Sequence, residues 1–145
     1  MTDFAEMRDW RAICELKARY CRFMDTKDWD RYRALFTEDY ELDVSQESGI
    51  PPIKGRDAAI EAVLSHIRHA VTAHQVHNPE ITIDGDEAHG IWALQDRVIF
   101  GPGGPSISGF GHYHERYVRQ DGQWKIASLR LTRLHIDVAP TSAAS

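Results

Sequence analysis

The sequence predicts an α+β domain: helices come first, then a run of antiparallel strands, with the helices packed on one face of a curved sheet. A change of period carries that prediction. Up to about residue 71 apolar residues recur at helical spacing, and from His74 onward they alternate. A second signal is "QDGQ" at 120–123, whose Asp-Gly pair favours the positive φ of a tight hairpin.

Taken in order, Ile13, Leu16, Tyr20, Phe23 and Met24 mark an amphipathic helix over roughly residues 5–25. "TKD" breaks it, and Asp28 stands where an N-cap belongs, ahead of a short helix carrying Trp29, Tyr32, Leu35 and Phe36. Tyr40–Val44 alternates like a strand, with Asp39 as turn chemistry before it, and "SQESGIPPIKG" reads as a loop. Asp57 is expected to cap a third helix, with a stripe of Ile60, Val63, Leu64, Ile67 and Val71. "HQVHNPEITID" is a strand expected to bulge at Asn78-Pro79, because proline cannot donate to a ladder. A long strand over Glu87–Phe100, a "GPGGP" loop, a strand over Ile107–Arg119 and a last one over Trp124–Val138 complete the sheet. There is no repeat and no second domain: residues 1–138 form a single domain and 139–145 a flexible tail.

The totals fit that picture. A chain of 145 residues suits one domain, and at this size roughly 68–70% of the unfolded surface is buried, enough for a core without staples. Net charge is −5 with no cluster of lysine and arginine, which argues against nucleic acid or an anionic membrane as the main partner. No apolar run reaches about 18 residues. The acidic start "MTDFAEMRDW" lacks a basic-then-apolar leader, so the expected location is cytoplasmic. Cys14 and Cys21 lie about 10 Å apart along one helix, too far for a disulfide, which fits a reducing compartment.

Alternation shows which strand residues share a face. Ala88, Gly90, Trp92, Leu94, Asp96, Val98 and Phe100 share one side, so Asp96 interrupts an apolar stripe. Ala127, Leu129, Leu131, Arg133 and His135 share a side of the last strand, and Arg133 is a second interruption. A charge on a core-facing stripe is costly unless paired or wetted. Two readings stay open: a closed ion pair, or two groups lining a pocket. His74 stands at the junction of helix and strand; a lone histidine there reads as a satisfied, half-buried one. His112 and His114 ("GHYHE") form an H-x-H pair that could supply two metal ligands, yet no third ligand is evident, and no metal site is assigned. A two-residue turn at "QDG" would put both on the Arg133 face, whereas a three-residue turn with a glycine bulge would put Tyr113 there.

Three segments then carry a resemblance: "ELKARYCRFMDTKDWDRYRALFTEDYELDV", "AHQVHNPEITIDGDEAHGIWAL" and "GHYHERYVRQDGQWKIASLRLTRL". Together, from about Asp9 to Ile136, they resemble the SnoaL-like branch of the nuclear transport factor 2-like superfamily, and within it scytalone dehydratase and bile-acid dehydratase. The resemblance implies a cone-shaped α+β barrel, with three N-terminal helices packed on a strongly curved, mostly antiparallel sheet. It implies Asp25 as the active-site aspartate and His74 as the acid/base. Tyr20 falls at an aromatic pocket position, and Asp96 and Arg133 fall near a further pocket aspartate and arginine, which favours the pocket reading. The family's second histidine, on the long strand, is Val98 or a neighbour here. Two family tyrosines are replaced by Met24 and Val44, so scytalone itself is not the expected substrate.

The expectation is a cofactor-independent dehydratase or double-bond isomerase acting on a hydrophobic cyclic carbonyl compound, a polyketide-like or steroid-like one. His74 would be the general acid/base and Asp25 its orienting partner. Tyr20 would donate to the substrate oxygen, and Asp96 would be a second acid/base or the group that holds Arg133. Arg133, Trp92, Leu94, Tyr113, Leu129, Leu131 and Met24 would contact the substrate. The alternative is a non-catalytic small-molecule binding protein, or an accessory subunit resembling the β subunit of ring-hydroxylating dioxygenases. By the same resemblance the chain is expected to form a homodimer or homotrimer.

Overall fold

The computed structural model describes residues 4–140. Helix α1 (Phe4–Asp25) buries Ile13, Leu16, Tyr20, Phe23 and Met24, the predicted stripe. It ends in a Schellman closure: Lys27 takes φ 62°, its N–H donates to Met24 O at 3.2 Å, and Asp28 N–H donates to Phe23 O at 2.8 Å. Asp28 then caps α2 (Trp29–Arg33), its side chain accepting from Arg31 N–H as expected.

Strand β1 (Phe36–Asp43) starts four residues before the predicted one. Asp39 therefore lies within the strand and not in a turn, its carboxylate accepting from the Thr37 hydroxyl at 2.7 Å. The predicted loop holds two small elements. Helix α3 (Ser45–Ser48) is started by Asp43, which accepts from the Ser45 amide and hydroxyl, and β2 (Ile53–Lys54) pairs antiparallel with β1. In α4 (Arg56–Ile67) the N-cap is Gly55, without a side-chain bond. Asp57 instead takes Arg33 of α2 at 2.7 Å, because at the second helical position its carboxylate reaches the neighbouring helix. Val71 keeps the helical spacing only by coincidence; it opens β3 and is exposed.

The sheet is β3 (Val71–Asp84), β4 (Glu87–Ile99), β5 (Ser106–Gln120) and β6 (Gln123–Ala139), with β1 and β2 added beyond β6. Strand order is β2-β1-β6-β5-β4-β3, antiparallel except for the parallel pair β1–β6, and the curved sheet does not close. Residues 141–145 of the expected tail lie outside the described residues. The bulge in β3 falls where predicted, between His77 and Glu80, with Asn78 at φ 50°.

The turn after β5 is the two-residue form, with Asp121 and Gly122 both at positive φ and Gln120 paired with Gln123. Yet Tyr113, not the histidine pair, shares the Arg133 face. Two register shifts in β6, at Arg116/Tyr117 and Phe110/Gly111, explain this. Each inserts one residue, Ala127 and then Leu134, and so exchanges the faces of everything beyond it. The first brings Tyr113 opposite Leu131 on the inner face; the second moves His135 away from Arg133 to the outer face, opposite Phe110. Gly111 permits the close approach there, since a Cβ on it would stand 2.0 Å from Thr132 O.

Candidate active site

Asp25, the last residue of α1, points at the start of β3. Its Oδ1 lies 2.7 Å from His74 Nδ1 and accepts from the Thr72 hydroxyl at 2.9 Å, while Oδ2 accepts from the His74 backbone N–H at 2.9 Å. Burial pulls the Asp25 carboxyl pKa upward, but bonds from the His74 ring and backbone, its charge and Thr72 outweigh that and hold it below the ordinary value. An ionised carboxylate only accepts, so Nδ1 carries a proton, and Nε2 is the ring nitrogen turned away from Asp25. Among the described residues, none forms a hydrogen bond with His74 Nε2. The side chains of His74 and Asp25 are 8% and 23% exposed, so the dyad is sheltered without being sealed.

His74 pairs in register with Asp96 on β4. Asp96 takes both terminal nitrogens of Arg133, at 2.6 and 2.8 Å, with side-chain exposures of 6% and 10%. The remaining Nε of Arg133 faces Glu47 of α3 at 3.4 Å. His74 and Asp96 are thus cross-strand neighbours on the inner face, and Asp96 with Arg133 forms the ion pair that one of the two readings expects. Glycines make the room: Gly109 and Gly111 lie opposite Asp96 and Leu94, and a Cβ on Gly109 would come within 3.0 Å of Arg133 Nη1. Burial opposes the Arg133 charge, but the bonds and charge of Asp96, with Glu47 adding, raise its pKa above the usual guanidinium value.

Tyr20 sits deeper, in an aromatic cluster with ring centroids 5.5 Å from Tyr32, 6.1 Å from Phe36 and 5.7 Å from Tyr113. Burial, then the neighbouring Tyr113, pushes its hydroxyl pKa well above the ordinary value, so it stays a donor. Trp92, Leu94, Leu129, Leu131, Met24 and Tyr113 all lie on the inner side and are buried, packed against each other and against α1. Two hollows of about 380 and 360 Å³ lie against the outer face, the first lined by Gln75, Gln95, Arg97, Ser108 and Phe110 and reaching inward to Asp96 and Gly109.

A network beneath this site was not anticipated. Lys17 Nζ and Glu115 Oε2 pair at 2.8 Å with both side chains fully buried. Tyr117 O–H donates to the other Glu115 oxygen at 2.6 Å, and Trp92 Nε1–H donates to Tyr117 at 2.8 Å. The ammonium also stands 3.5 Å from the Tyr20 ring centre and 3.7 Å from that of Tyr113. The signals were present: Lys17 lies four residues after Ile13 and three before Tyr20 on the helix stripe, and Glu115 alternates with Tyr113 and Tyr117. His112 and His114 lie on the outer face, ring centres 6.3 Å apart, with His114 Nε2 at 3.0 Å from the Thr132 hydroxyl. Among the described residues no group of three or more His, Cys, Asp or Glu side chains is placed to hold a metal ion.

Helices packed on a curved, open six-stranded sheet are a nuclear transport factor 2-like architecture. Residues 5–130 match the SnoaL-like domain, and the chain belongs to that family. It is 30% identical to the probable cyclase FGR4 of Gibberella zeae, over 82% of this chain and 87% of that protein. The structure of Rv3472, a Mycobacterium tuberculosis protein of unknown function, is 31% identical over 89% of this chain and 73% of its own, with a TM-score of 0.76. A type-3 LinA hexachlorocyclohexane dehydrochlorinase from Novosphingobium barchaimii shares the fold at a TM-score of 0.80, at 22% identity, over 95% of this chain and 94% of its own.

Proposed function

We propose that the chain is a cofactor-independent lyase or double-bond isomerase acting on a hydrophobic, cyclic carbonyl compound through His74 and Asp25. The observation that carries the reading is the 2.7 Å contact of His74 Nδ1 with Asp25, with Nε2 unpartnered among the described residues. Nε2 takes a proton from carbon beside the carbonyl, and Asp25 stabilises the imidazolium so formed. In elimination the electron pair becomes the new C=C bond, the β-hydroxyl departs, and the imidazolium returns its proton to make water. In isomerisation the proton returns to a different carbon. The relative named as a probable cyclase supports an enzymatic role, and the dehydrochlorinase shares the fold. The occupied edges of Arg133 favour Asp96 as the group that holds Arg133 over Asp96 as a second acid. Tyr20 and Tyr113 are the candidate donors to the substrate oxygen.

A panel of cyclic β-hydroxyketones, assayed by ultraviolet absorbance of the enone formed, tests the reading. His74→Ala and Asp25→Asn are expected to lower kcat by about 10²–10⁴-fold. Turnover unchanged in both variants would contradict it. The buried inner wall favours a second reading, a non-catalytic scaffold, which co-purification with a larger iron–sulfur protein would support.

A further inference from the structure

We propose that Lys27 is a positioning residue of the dyad: it fixes the Thr72 hydroxyl so that this hydroxyl must donate to Asp25, completing the set of donors that holds the carboxylate against His74. The inference rests on the proposed role of His74 and Asp25, to which it adds a third and a fourth member, Thr72 and Lys27.

Two independent observations carry it. The first is backbone. Lys27 closes α1 at φ 62°, a conformation that glycine takes without steric cost and a lysine does not. A non-glycine residue kept there points to a use for its side chain. The second is where that side chain goes. It folds back over the helix end, placing Nζ 3.0 Å from Thr72 Oγ1 and 3.4 Å from Met24 O. Thr72 is itself buried and donates to Asp25 Oδ1 at 2.9 Å.

The direction of this chain of bonds follows from chemistry alone. An ammonium has three donors and no acceptor, and an ionised carboxylate has only acceptors. Thr72 Oγ1 stands between them, so it accepts from Lys27 and turns its single hydrogen to Asp25. Without Lys27 the hydroxyl is free to rotate, and the carboxylate loses a donor and a nearby positive charge together. Burial lowers the Lys27 pKa below the ordinary value and the Asp25 charge offsets only part of that, so each charge bears on the other. The other titratable neighbours of Asp25 are His74 on β3 and the buried Cys21 thiol on α1.

The test is a ¹³C titration of the Asp25 carboxyl in the full chain, with Lys27→Met, Thr72→Val, the double variant and Lys27→Arg. Lys27→Met and Thr72→Val should each move the Asp25 titration upward, toward the ordinary carboxylate value. The double variant should move it no further than Lys27→Met alone, because that variant already removes both the charge and the oriented hydroxyl. Lys27→Arg, which keeps a charged donor, should retain the wild-type titration. An Asp25 titration unchanged in Lys27→Met, or shifts that simply add, would overturn the proposal. Because the titration needs no substrate, its outcome is separate from that of the reaction. If Lys27→Met moves Asp25 while His74→Ala leaves turnover intact, Lys27 holds its place and the catalytic reading fails. Where turnover is found, Lys27→Met should lower kcat about tenfold with little change in KM.

Discussion

Three aspartates in "MDTKDWD" have three different physical settings. Asp28 caps α2, and Asp30 lies in its first turn, where the helix dipole favours a carboxylate. Asp25 closes α1 at the end that disfavours negative charge, and three donors from β3 offset this. Its depressed pKa gives a pH signature. A folded-state pKa below the unfolded value of about 3.9 contributes stability that is present above that value and lost as pH falls through the folded one. Asp25→Asn is therefore expected to flatten the acid limb of the stability–pH profile, measured by urea denaturation between about pH 6 and 2. Lys17 offers a sharper stability test. Lys17→Met leaves the Glu115 carboxylate buried without its cation and is expected to cost about 3–5 kcal/mol, with much of that recovered in Lys17→Met/Glu115→Gln. Equal losses in the single and double variants would contradict a buried charge pair.

Among the elements, β6 decides which residues reach the interior. Strict alternation placed Asp96 and Arg133 on one face correctly, because neither of the two shifts falls between Leu129 and Arg133. It misplaced His135, and it left Tyr113 undecided, because a one-residue bulge leaves no fixed mark in composition and the turn alone does not set the register beyond it. Gly111 is the residue that tolerates the tight approach of β5 to β6. Gly111→Ala, with its Cβ 2.0 Å from Thr132 O, is expected to destabilise by about 1–3 kcal/mol in thermal or urea unfolding. The helix ends were legible where local capping sets them, as at Asp28. They were not where a long-range partner competes, as where Arg33 draws Asp57.

For the whole molecule, order and period in the sequence were enough to give helices on a curved sheet, and the family match agrees with them. Asp25 and His74 came together only through resemblance, since 49 residues separate them and no local pattern links a helix end to a strand start. The inner face is packed and apolar apart from the Lys17–Glu115 and Asp96–Arg133 pairs, the dyad sits at its edge, and no described helix is long and apolar enough to cross a membrane. The central claim is that His74 Nε2, backed by Asp25, removes a proton from carbon. Its most direct test is deuterium exchange from solvent into a panel of cyclic ketones, followed by proton NMR. Wild-type protein should catalyse exchange beside the carbonyl of at least one ketone, and His74→Gln and Asp25→Asn should each abolish it. Exchange that persists in both variants, or ketones that bind without exchanging, would contradict the account.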